Sequence, residues 1–394
     1  MTALALLLAL IVLIIAPWAQ IPAPAYRLLP LSVGAPELSP WLLVIALLAS
    51  VLATIGLRRR QRGRRLLARA AVALSVIATA LPAYVLAQIP GTLREIDADW
   101  QRAFGKPAAD TRTVDARSSM RPARLTWREM FTGLDLPAVR ITRDVLVRNA
   151  DGVTLTVDIY RPDHEGVVPT VVQIYGGGWR GGEPGDNTEI AHAMAAAGFA
   201  VFAIDYRHAP DWTWPTQLED VLDALRWVTA HAAEYGSDPA RLALVGRSAG
   251  AQLAMRASQD IAAPPIRAVV TIYGPVDLTE GHRVPPSPDP LDVRLIEEQF
   301  LGGTPDEHPD RYADASPITR AANPHPPVLV ITGGRDHIVL PRFGRLLHER
   351  LLESGVSVRL HMPWADHGFD FVPFGPSSQI ALYYTQRFLA EALR

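Results

Sequence analysis

The chain has 394 residues, a formal net charge of −2 and a hydrophobic content of 49%. A net charge so close to zero argues against a general nucleic-acid-binding protein, which needs an excess of basic residues to contact phosphate. Because the sequence contains no cysteine, disulfide bonds, thiolate metal sites and a cysteine nucleophile are all excluded.

Three uncharged apolar stretches precede Pro90, at residues 3–18, 41–57 and 70–88. Each approaches the roughly 20 residues that a helix needs to cross a bilayer. Trp18, Trp41 and Tyr84 lie near the ends of these stretches, as aromatic residues at membrane interfaces often do. Short apolar runs can also be buried helices of a soluble core. Three in succession without an amphipathic pattern favour a membrane region over residues 1–90.

A dense arginine cluster, RRRQRGRRLLAR, lies between the second and third stretches and runs from Arg58 to Arg69. Such a cluster can bind nucleic acid or anionic lipid. Because two spans bracket it, the positive-inside rule predicts a short cytoplasmic loop. The third span then runs outward, and the rest of the chain is predicted on the extracytoplasmic side. If the first stretch were instead a signal peptide cleaved near Ala23-Pro24-Ala25, this orientation would not change.

Residues 91–137 form a mixed, charged stretch that we interpret as a juxtamembrane linker. Within it, Trp127, Met130, Phe131 and Leu134 could form one apolar helical face. That face would pack on the following domain, or it would serve as a lid or a membrane-surface helix.

From about residue 138 the sequence alternates between strand-like and helix-like segments. Residues 145–147 and 153–160 read as a hairpin around the turn at 149–152. Continuous short apolar runs, typical of strands buried on both faces of a parallel sheet, occur at 170–174, 200–204, 242–245, 268–272 and 328–331. Helical segments lie between and after them, at 188–197, 217–235, 249–259, 341–354 and 377–393. This alternation predicts an α/β fold for residues 138–394, with functional groups at the carboxyl ends of the strands.

The run LALVGRSAG at residues 242–250 combines an apolar strand, a G-x-S-x-G motif and the start of a small-residue helix. Glycine on both sides allows a sharp strand-to-helix turn that exposes the serine hydroxyl at the top of the sheet. The motif alone is common and can be an ordinary turn. In this setting it predicts Ser248 as a nucleophile.

A serine nucleophile needs a base, and the base needs a third group to orient it. In this kind of fold the acid follows the serine in the chain and the histidine comes last. Asp336 follows the strand-like run and a Gly-Gly turn, and His367 lies in an Ala-Asp-His-Gly-Phe loop after the next strand-like segment. We therefore predict a triad of Ser248, His367 and Asp336.

Two other carboxylates near His367 are alternative acids, Asp366 and Asp370. A carboxylate adjacent in sequence to a histidine rarely points at its ring, so Asp336 is preferred. His337 is interpreted as a bystander. The histidines are scattered without a paired metal-binding spacing, so neither a metal site nor a cofactor is predicted.

The glycine run Tyr175-Gly176-Gly177-Gly178-Trp179 follows the strand-like segment 170–174. Glycines let the backbone turn its N–H groups towards a developing negative charge without steric cost. We predict Gly177, Gly178 and Ala249 as the oxyanion hole, a feature that typically contributes a few kcal/mol to acyl transfer. A phosphate-binding loop would instead end in Gly-Lys-Ser/Thr, which is absent here.

With these motifs in place, the region from about residue 138 to the end resembles the bacterial hormone-sensitive-lipase-like carboxylesterases. The motifs are YGGGW (175–179), DYRHAP (205–210), GSDP (236–239) and GRSAG (246–250). The resemblance implies an α/β-hydrolase fold, a mostly parallel sheet with helices on both faces. It also implies that Asp205 and Arg207 support the oxyanion loop and that His208 has no part in the chemistry. The family usually has histidine where this chain has Tyr175, which puts the geometry of that loop in doubt.

Residues 276–315 are proline-rich and irregular, and we interpret them as an inserted lid or pocket wall that sets acyl specificity. The leading hypothesis for the whole chain is a membrane-anchored serine ester hydrolase acting on a small-molecule or lipid ester. An acyltransferase using the same acyl-enzyme and a serine peptidase or amidase are the alternatives. A binding protein with an inactive hydrolase fold is disfavoured, because the serine, histidine, aspartate and glycine loop are all present.

Overall fold

The computed structural model describes residues 1–58, 65–114 and 117–394. Most of the predicted arginine cluster, Arg59, Arg60, Arg62 and Arg64, lies outside the described residues. The described chain forms an N-terminal helical bundle and an α/β domain, and one long helix belongs to both.

The bundle and the segment that joins its first two long helices contain four helices: α1 (Thr2–Ile15), α2 (Leu29–Glu37), α3 (Ser39–Arg58) and α4 (Arg65–Phe104). Helices α1, α3 and α4 pack against one another. Within the described residues, three helical segments are long and apolar enough to cross a membrane, namely Thr2–Ala19, Ser39–Arg58 and Arg65–Phe104. They match the three predicted spans in number and approximate position. That they insert into a membrane stays a prediction.

The bundle buries small side chains and exposes large apolar ones. Fully or almost fully buried alanines line its interior: Ala5, Ala9, Ala46, Ala49, Ala53, Ala68, Ala71 and Ala78. Large apolar side chains face outward: Leu4, Leu7, Leu10, Ile14, Val44, Leu47, Val51, Val76 and Ile77. In water the large side chains would be expected inside, since burying their area is the main driving force for folding. Small residues at helix contacts are typical of helices that pack within a bilayer.

Helix α4 continues through Pro90 to Phe104, so the first part of the predicted linker over residues 91–137 is helical. The sequence after Pro90 becomes amphipathic, and Ile89, Ile96 and Trp100 form a buried face that joins the core of the α/β domain. An internal proline is tolerated in an apolar helix where neighbouring groups compensate for the missing N–H donor. The helix therefore carries the chain from the bundle into the α/β domain without a break.

A short helix, α5 (Trp127–Thr132), precedes the α/β domain. In the described chain that domain has one eight-stranded sheet with the order β1-β2-β4-β3-β5-β6-β7-β8. The strands are β1 (Val139–Ala150), β2 (Val153–Pro162), β3 (Val168–Ile174), β4 (Ala200–Ile204), β5 (Ser237–Arg247), β6 (Ala268–Ile272), β7 (Val328–Gly333) and β8 (Ser357–Met362). Strand β2 pairs antiparallel with β1 and with β4, and the other pairs are parallel. The predicted hairpin and all five predicted buried strands are confirmed.

Helices cover both faces of the sheet. The helices of this domain are α6 (Thr188–Ala196), α7 (Thr216–His231), α8 (Ala249–Ser258), α9 (Leu278–Arg283), α10 (Val293–Leu301), α11 (Pro309–Ala315), α12 (Pro341–Leu351) and α13 (Pro376–Ala392). Successive residues of β3 belong to different cores: Val171 clusters with Phe388 of α13, and Val172 clusters with Leu253 of α8. Because side chains alternate along a strand, a continuous apolar run is needed to fill both cores.

Candidate active site

Ser248 lies in the sharp turn between β5 and α8, with φ +50° and ψ −121°. Few residues other than glycine adopt a positive φ, and holding one there costs about 1–3 kcal/mol. Both glycines that flank the serine in the motif are required, because other atoms lie too close for any larger side chain. A Cβ atom at Gly246 would lie 2.2 Å from the carbonyl oxygen of Gly250, and one at Gly250 would lie 2.2 Å from that of Tyr175. The turn therefore packs directly on the glycine loop, and this packing holds the serine in its strained conformation.

The three residues of the predicted triad lie in contact. Ser248 Oγ is 3.0 Å from His367 Nε2, and His367 Nδ1 is 2.8 Å from Asp336 Oδ2. The other oxygen of Asp336 accepts hydrogen bonds from the backbone N–H groups of Ile338 and Val339, at 2.9 and 2.8 Å. These bonds fix the buried carboxylate in one orientation. Asp336 follows β7 and His367 follows β8, so the carboxyl edge of the parallel sheet brings them together.

The alternative acids have other partners. Asp366 Oδ1 is 2.8 Å from His337 Nδ1 and also accepts the backbone N–H of His367 at 2.7 Å. Asp370 pairs with Arg247, with 2.5 Å between Asp370 Oδ2 and Arg247 Nε. Among the described residues, only Asp336 presents a carboxylate to the His367 ring. His337, interpreted from the sequence as a bystander, is thus part of the network that holds the histidine loop.

The charge state of His337 follows from this contact. Burial by itself would lower the pKa of the imidazole, but the hydrogen bond from His337 to Asp366 and the negative charge of Asp366 outweigh burial and raise it. His337 therefore keeps its proton, and its charged pair with Asp366, to a higher pH than a free imidazole would.

The glycine loop lies against the nucleophile turn. A Cβ atom at Gly176 would lie 2.9 Å from that of Ser248, and Gly177 and Gly178 have φ values of +128° and +61°. Gly177, Gly178 and Ala249 line the same cavity as Ser248 and His367. Ala249 is the first residue of α8, where an N–H group has no acceptor within the helix. The positions predicted as the oxyanion hole are therefore close to the nucleophile, and their catalytic role stays a prediction.

Tyr175 joins the glycine loop to the DYRHAP segment. Its hydroxyl donates a hydrogen bond to Asp205 at 2.5 Å and lies 2.8 Å from His208 Nε2, while its ring stacks on Tyr206 with centroids 4.5 Å apart. Burial raises the pKa of the Tyr175 hydroxyl far above its ordinary value, so it remains a donor. Asp205 thus braces the loop as the resemblance implied. His208, which the resemblance excluded from the chemistry, belongs to the same support.

Arg207 acts on a different part of the structure. Two of its guanidinium nitrogens, Nε and Nη2, each donate to the buried Asp220 at 2.8 Å, and a third, Nη1, donates to Asp151. This buried ion pair ties the DYRHAP segment to helix α7, which agrees with a structural role for Arg207.

A second polar cluster beneath the nucleophile was missed by the sequence reasoning. Arg247, the variable residue of the G-x-S-x-G motif, is buried; it pairs with Asp370 and donates to the hydroxyl of Tyr273 at 3.1 Å. The Tyr273 ring in turn packs on the His367 ring, with centroids 4.4 Å apart. Tyr273 directly follows β6 at the carboxyl edge of the sheet, so the rule that located Asp336 and His367 would also have located it.

A cavity of ≈840 Å³ lies over Ser248. Side chains from the predicted lid or wall segment, residues 276–315, form part of its lining, including Val284, Leu291 and Ile296. The same segment contributes Glu297, which is 3% exposed and whose Oε2 has no hydrogen-bond partner within the described residues. Burial raises the pKa of the Glu297 carboxyl well above its ordinary value.

The helical face predicted at residues 127–134 does not contribute to the cavity lining in the described part of the chain. Its helix, α5, packs instead on the bundle. The indole N–H of Trp41 donates to the carbonyl of Met130 at 2.8 Å, and the Trp41 and Phe131 rings meet edge to face. The apolar side chains of this face therefore join the bundle to the α/β domain, and a role as a lid or membrane-surface helix stays a prediction.

Comparison with known proteins places the chain among ester hydrolases. The BD-FAE family model matches residues 157–351. LipM of Mycobacterium tuberculosis, described as a probable carboxylic ester hydrolase, is 32% identical over 60% of this chain and 58% of its own length. Carboxylesterase NlhH of the same organism is 31% identical over 65% of this chain and 84% of its own length. The chain thus spans little more than half of LipM but most of NlhH.

Solved structures are similar over about two thirds of the chain. The crystal structure of EstE1, a thermostable carboxylesterase cloned from a metagenomic library, superposes with a TM-score of 0.57 at 26% identity. The superposition covers 67% of this chain and 92% of EstE1. The third of this chain that is not covered is about as long as the bundle together with the segment that follows it.

Proposed function

This chain belongs to the carboxylesterases of the α/β-hydrolase fold, and on that premise we propose that it is a serine ester hydrolase attached to a membrane. Ser248 is the nucleophile, His367 the general base and Asp336 the group that orients the imidazole. The observation that carries the proposal is the continuous pair of contacts from Ser248 Oγ to His367 Nε2 and from His367 Nδ1 to Asp336, at 3.0 and 2.8 Å.

The reaction has two halves. Ser248 Oγ attacks the ester carbonyl carbon while His367 Nε2 takes the hydroxyl proton, and the carbonyl oxygen becomes an oxyanion next to the amides of Gly177, Gly178 and Ala249. His367 then gives the proton to the leaving alcohol as the carbon–oxygen bond breaks. A water molecule, deprotonated by His367, attacks the acyl-enzyme and releases the carboxylic acid with Ser248 regenerated.

The buried surroundings favour this sequence of proton transfers. Asp336 is almost fully buried and fixed by two backbone N–H groups, so its charge is held next to His367 Nδ1. The negative charge stabilises the imidazolium that forms when His367 accepts the serine proton.

The membrane attachment rests on the bundle. Its large apolar side chains face outward and its alanines face inward, an arrangement that is unfavourable in water and typical in lipid. We place the α/β domain on the extracytoplasmic side, because the arginines between the second and third helices favour the cytoplasm. Reporter fusions after Arg65 and after Gly105 test this orientation, and a cytoplasmic signal from the second fusion would overturn it.

The activity is tested with the full-length protein in detergent, using p-nitrophenyl esters from acetate to palmitate. We expect turnover that Ser248→Ala lowers by about 10⁴-fold or more without loss of thermal stability. A fluorophosphonate should label the wild type and leave the Ser248→Ala variant unlabelled. Wild-type turnover by that variant would refute the assignment of the nucleophile. Labelling of Ser248 without hydrolysis of any ester would favour the acyltransferase alternative.

A further inference from the structure

The cavity over Ser248 is completed by residues from outside the α/β domain. Six of its lining residues, Tyr26, Arg27, Leu29, Pro30, Val33 and Gly34, belong to the segment between the first two long helices of the bundle. This segment, residues 20–38, is called here the inter-helix wall. In the sequence this segment is notable only for a possible signal-peptide cleavage site near Ala23-Pro24-Ala25.

The inter-helix wall is bound to the α/β domain at both of its ends. At the start, the guanidinium group of Arg335, next to the triad aspartate, donates to the carbonyl of Gln20. At the other end, Glu37 is 1% exposed and accepts the backbone N–H of Ser377 at 2.9 Å. The contact is so close that a Cβ atom at Gly375 would lie 2.4 Å from the Glu37 carboxylate. The inter-helix wall is therefore fixed in place as part of the pocket. It lies at the edge of the sheet that carries the triad.

The wall is also close to the membrane surface. Helix α2 is followed almost directly by α3, and Gly34 precedes Ser39, the first residue of α3, by five positions. In helical conformation this is about 8 Å. The headgroup layer on each side of a bilayer is roughly 5–8 Å thick. With α3 spanning the bilayer, the part of the wall that lines the cavity lies in or beside the headgroup layer.

The apolar lining of the cavity fits the hydrocarbon chain of an ester. Leu29 and Val33 of the wall face a lining that includes Leu340 and Phe343 from the region after Asp336. At ≈840 Å³ the cavity lies in the upper part of the range typical of ligand pockets, about 300–1,000 Å³. Apolar side chains are also exposed around the wall: Ile21 is 50% exposed and Tyr26 is 69% exposed. Such exposure is costly in water and favourable at a lipid surface.

We propose that the inter-helix wall makes this enzyme specific for long-chain amphiphilic esters that reside in the same membrane, with Leu29 and Val33 as residues that set chain length. The inference rests on the proposed ester hydrolase function and narrows its substrate class. A water-soluble short-chain ester would use the triad but would leave the apolar part of the cavity unfilled.

The first test changes the wall in the full-length protein. Val33→Trp fills the cavity, and the matched control is Val44→Trp, on the outward face of α3 where the valine is 49% exposed. For Val33→Trp we expect the ratio of kcat/KM for p-nitrophenyl palmitate to that for the butyrate to fall by about tenfold or more. For Val44→Trp the ratio stays at the wild-type value. Leu29→Ala, which removes bulk from the same wall, should raise the ratio or shift the optimum to longer chains.

The outcomes separate the inference from the function on which it rests. An unchanged ratio in both Val33→Trp and Leu29→Ala, or an equal loss for the two esters, would overturn the wall as a determinant of chain length while leaving the hydrolase assignment intact. Absence of Ser248-dependent turnover in the wild type would instead refute the hydrolase assignment.

The second test addresses where the substrate comes from. The wild-type protein is reconstituted into phosphatidylcholine vesicles that carry 4-methylumbelliferyl palmitate, or into empty vesicles that are then mixed with ester-loaded ones. We expect hydrolysis to be at least about tenfold faster when enzyme and ester share a bilayer. Equal rates in the two arrangements would contradict delivery from the membrane.

Discussion

Two leucines of this chain show how different its two regions are. Leu244, on β5 of the α/β domain, is completely buried, whereas Leu47, on α3 of the bundle, is 49% exposed and lies beside the fully buried Ala46. The α/β domain encloses most of its large apolar side chains. The bundle instead encloses alanines and exposes large apolar side chains. This difference supports the proposal that the bundle is surrounded by hydrocarbon, whereas the α/β domain has the buried apolar core expected in water.

The largest expected difference between the regions is chemical, because all the predicted triad residues lie in the α/β domain. Asp336→Asn should lower kcat by about 10³–10⁴-fold, because the asparagine amide lacks the negative charge that stabilises the His367 imidazolium. Asp366→Asn is the matched control, because it removes a carboxylate that contacts His337 and the backbone of His367. Its effect on kcat should be at least tenfold smaller. A larger loss from Asp366→Asn than from Asp336→Asn would reassign the acid.

The second largest effect concerns stability and compares the two leucines directly. Leu244→Ala opens a cavity in a packed core and should lower the free energy of unfolding by about 2–5 kcal/mol. Leu47→Ala, on the outward face of the bundle, should lower the free energy of unfolding by less than about 1 kcal/mol in detergent. Detergent surrounds the side chain at position 47 whether it is leucine or alanine. Thermal unfolding of the full-length protein with nucleophile labelling as readout measures both. A large loss from Leu47→Ala would indicate that this face packs against protein.

The third prediction tests whether the close packing of alanines stabilises the interior of the bundle. Ala71→Leu introduces a large side chain where α4 packs against Ala5 and Ala53, and overpacking of this kind costs about 1–3 kcal/mol. Ala73→Leu, two residues along the same helix on an exposed face, is the control and should leave stability almost unchanged. If both variants are equally stable, the close packing of the alanines is not what holds the bundle together.

The smallest expected effect lies at the junction of the two regions. Burial raises the pKa of Glu37 to about 8 from its ordinary value near 4.5. A carboxyl with a raised pKa in the folded state contributes stability below its unfolded pKa and loses it as pH rises through the folded value. The apparent Tm of the wild type should therefore fall between pH 5 and about pH 8.5 by a few degrees more than that of Glu37→Gln. Parallel pH profiles for the two proteins would show that Glu37 does not titrate in this range.

Much of the catalytic region could be predicted from the sequence because its signals are local. The G-x-S-x-G turn, the glycine run and the apolar strands each depend on neighbours within about ten residues, and their spacing places Ser248, Asp336 and His367 at strand ends. The choice of Asp336 over Asp366 also followed from a local argument about side-chain direction. The structure agrees with that argument, since Asp366 turns to His337.

The features that the sequence left open depend on contacts between distant parts of the chain. The third apolar stretch ends before Pro90, but helix α4 continues to Phe104, and its Ile96 and Trp100 join a core cluster with Phe388 of α13. The face at Trp127 was expected to pack on the following domain or to serve as a lid or membrane-surface helix, and its Met130 and Phe131 meet Trp41, about 90 residues earlier in the chain. The pattern of apolar residues within a segment predicts that one face is buried, but it does not show which other segment buries that face.

The sequence by itself therefore determined the strand and helix pattern, the nucleophile turn, the order of the triad and the three apolar helices. Each of these follows from the conformational preferences of a few consecutive residues and from the period of their hydrophobicity. Only the tertiary structure decided which side of the bundle faces outward, what supports the glycine loop through Tyr175, and that residues 20–38 complete the cavity over Ser248. Those features arise when segments from different parts of the sequence bury surface against each other, and that pairing is a property of the folded chain.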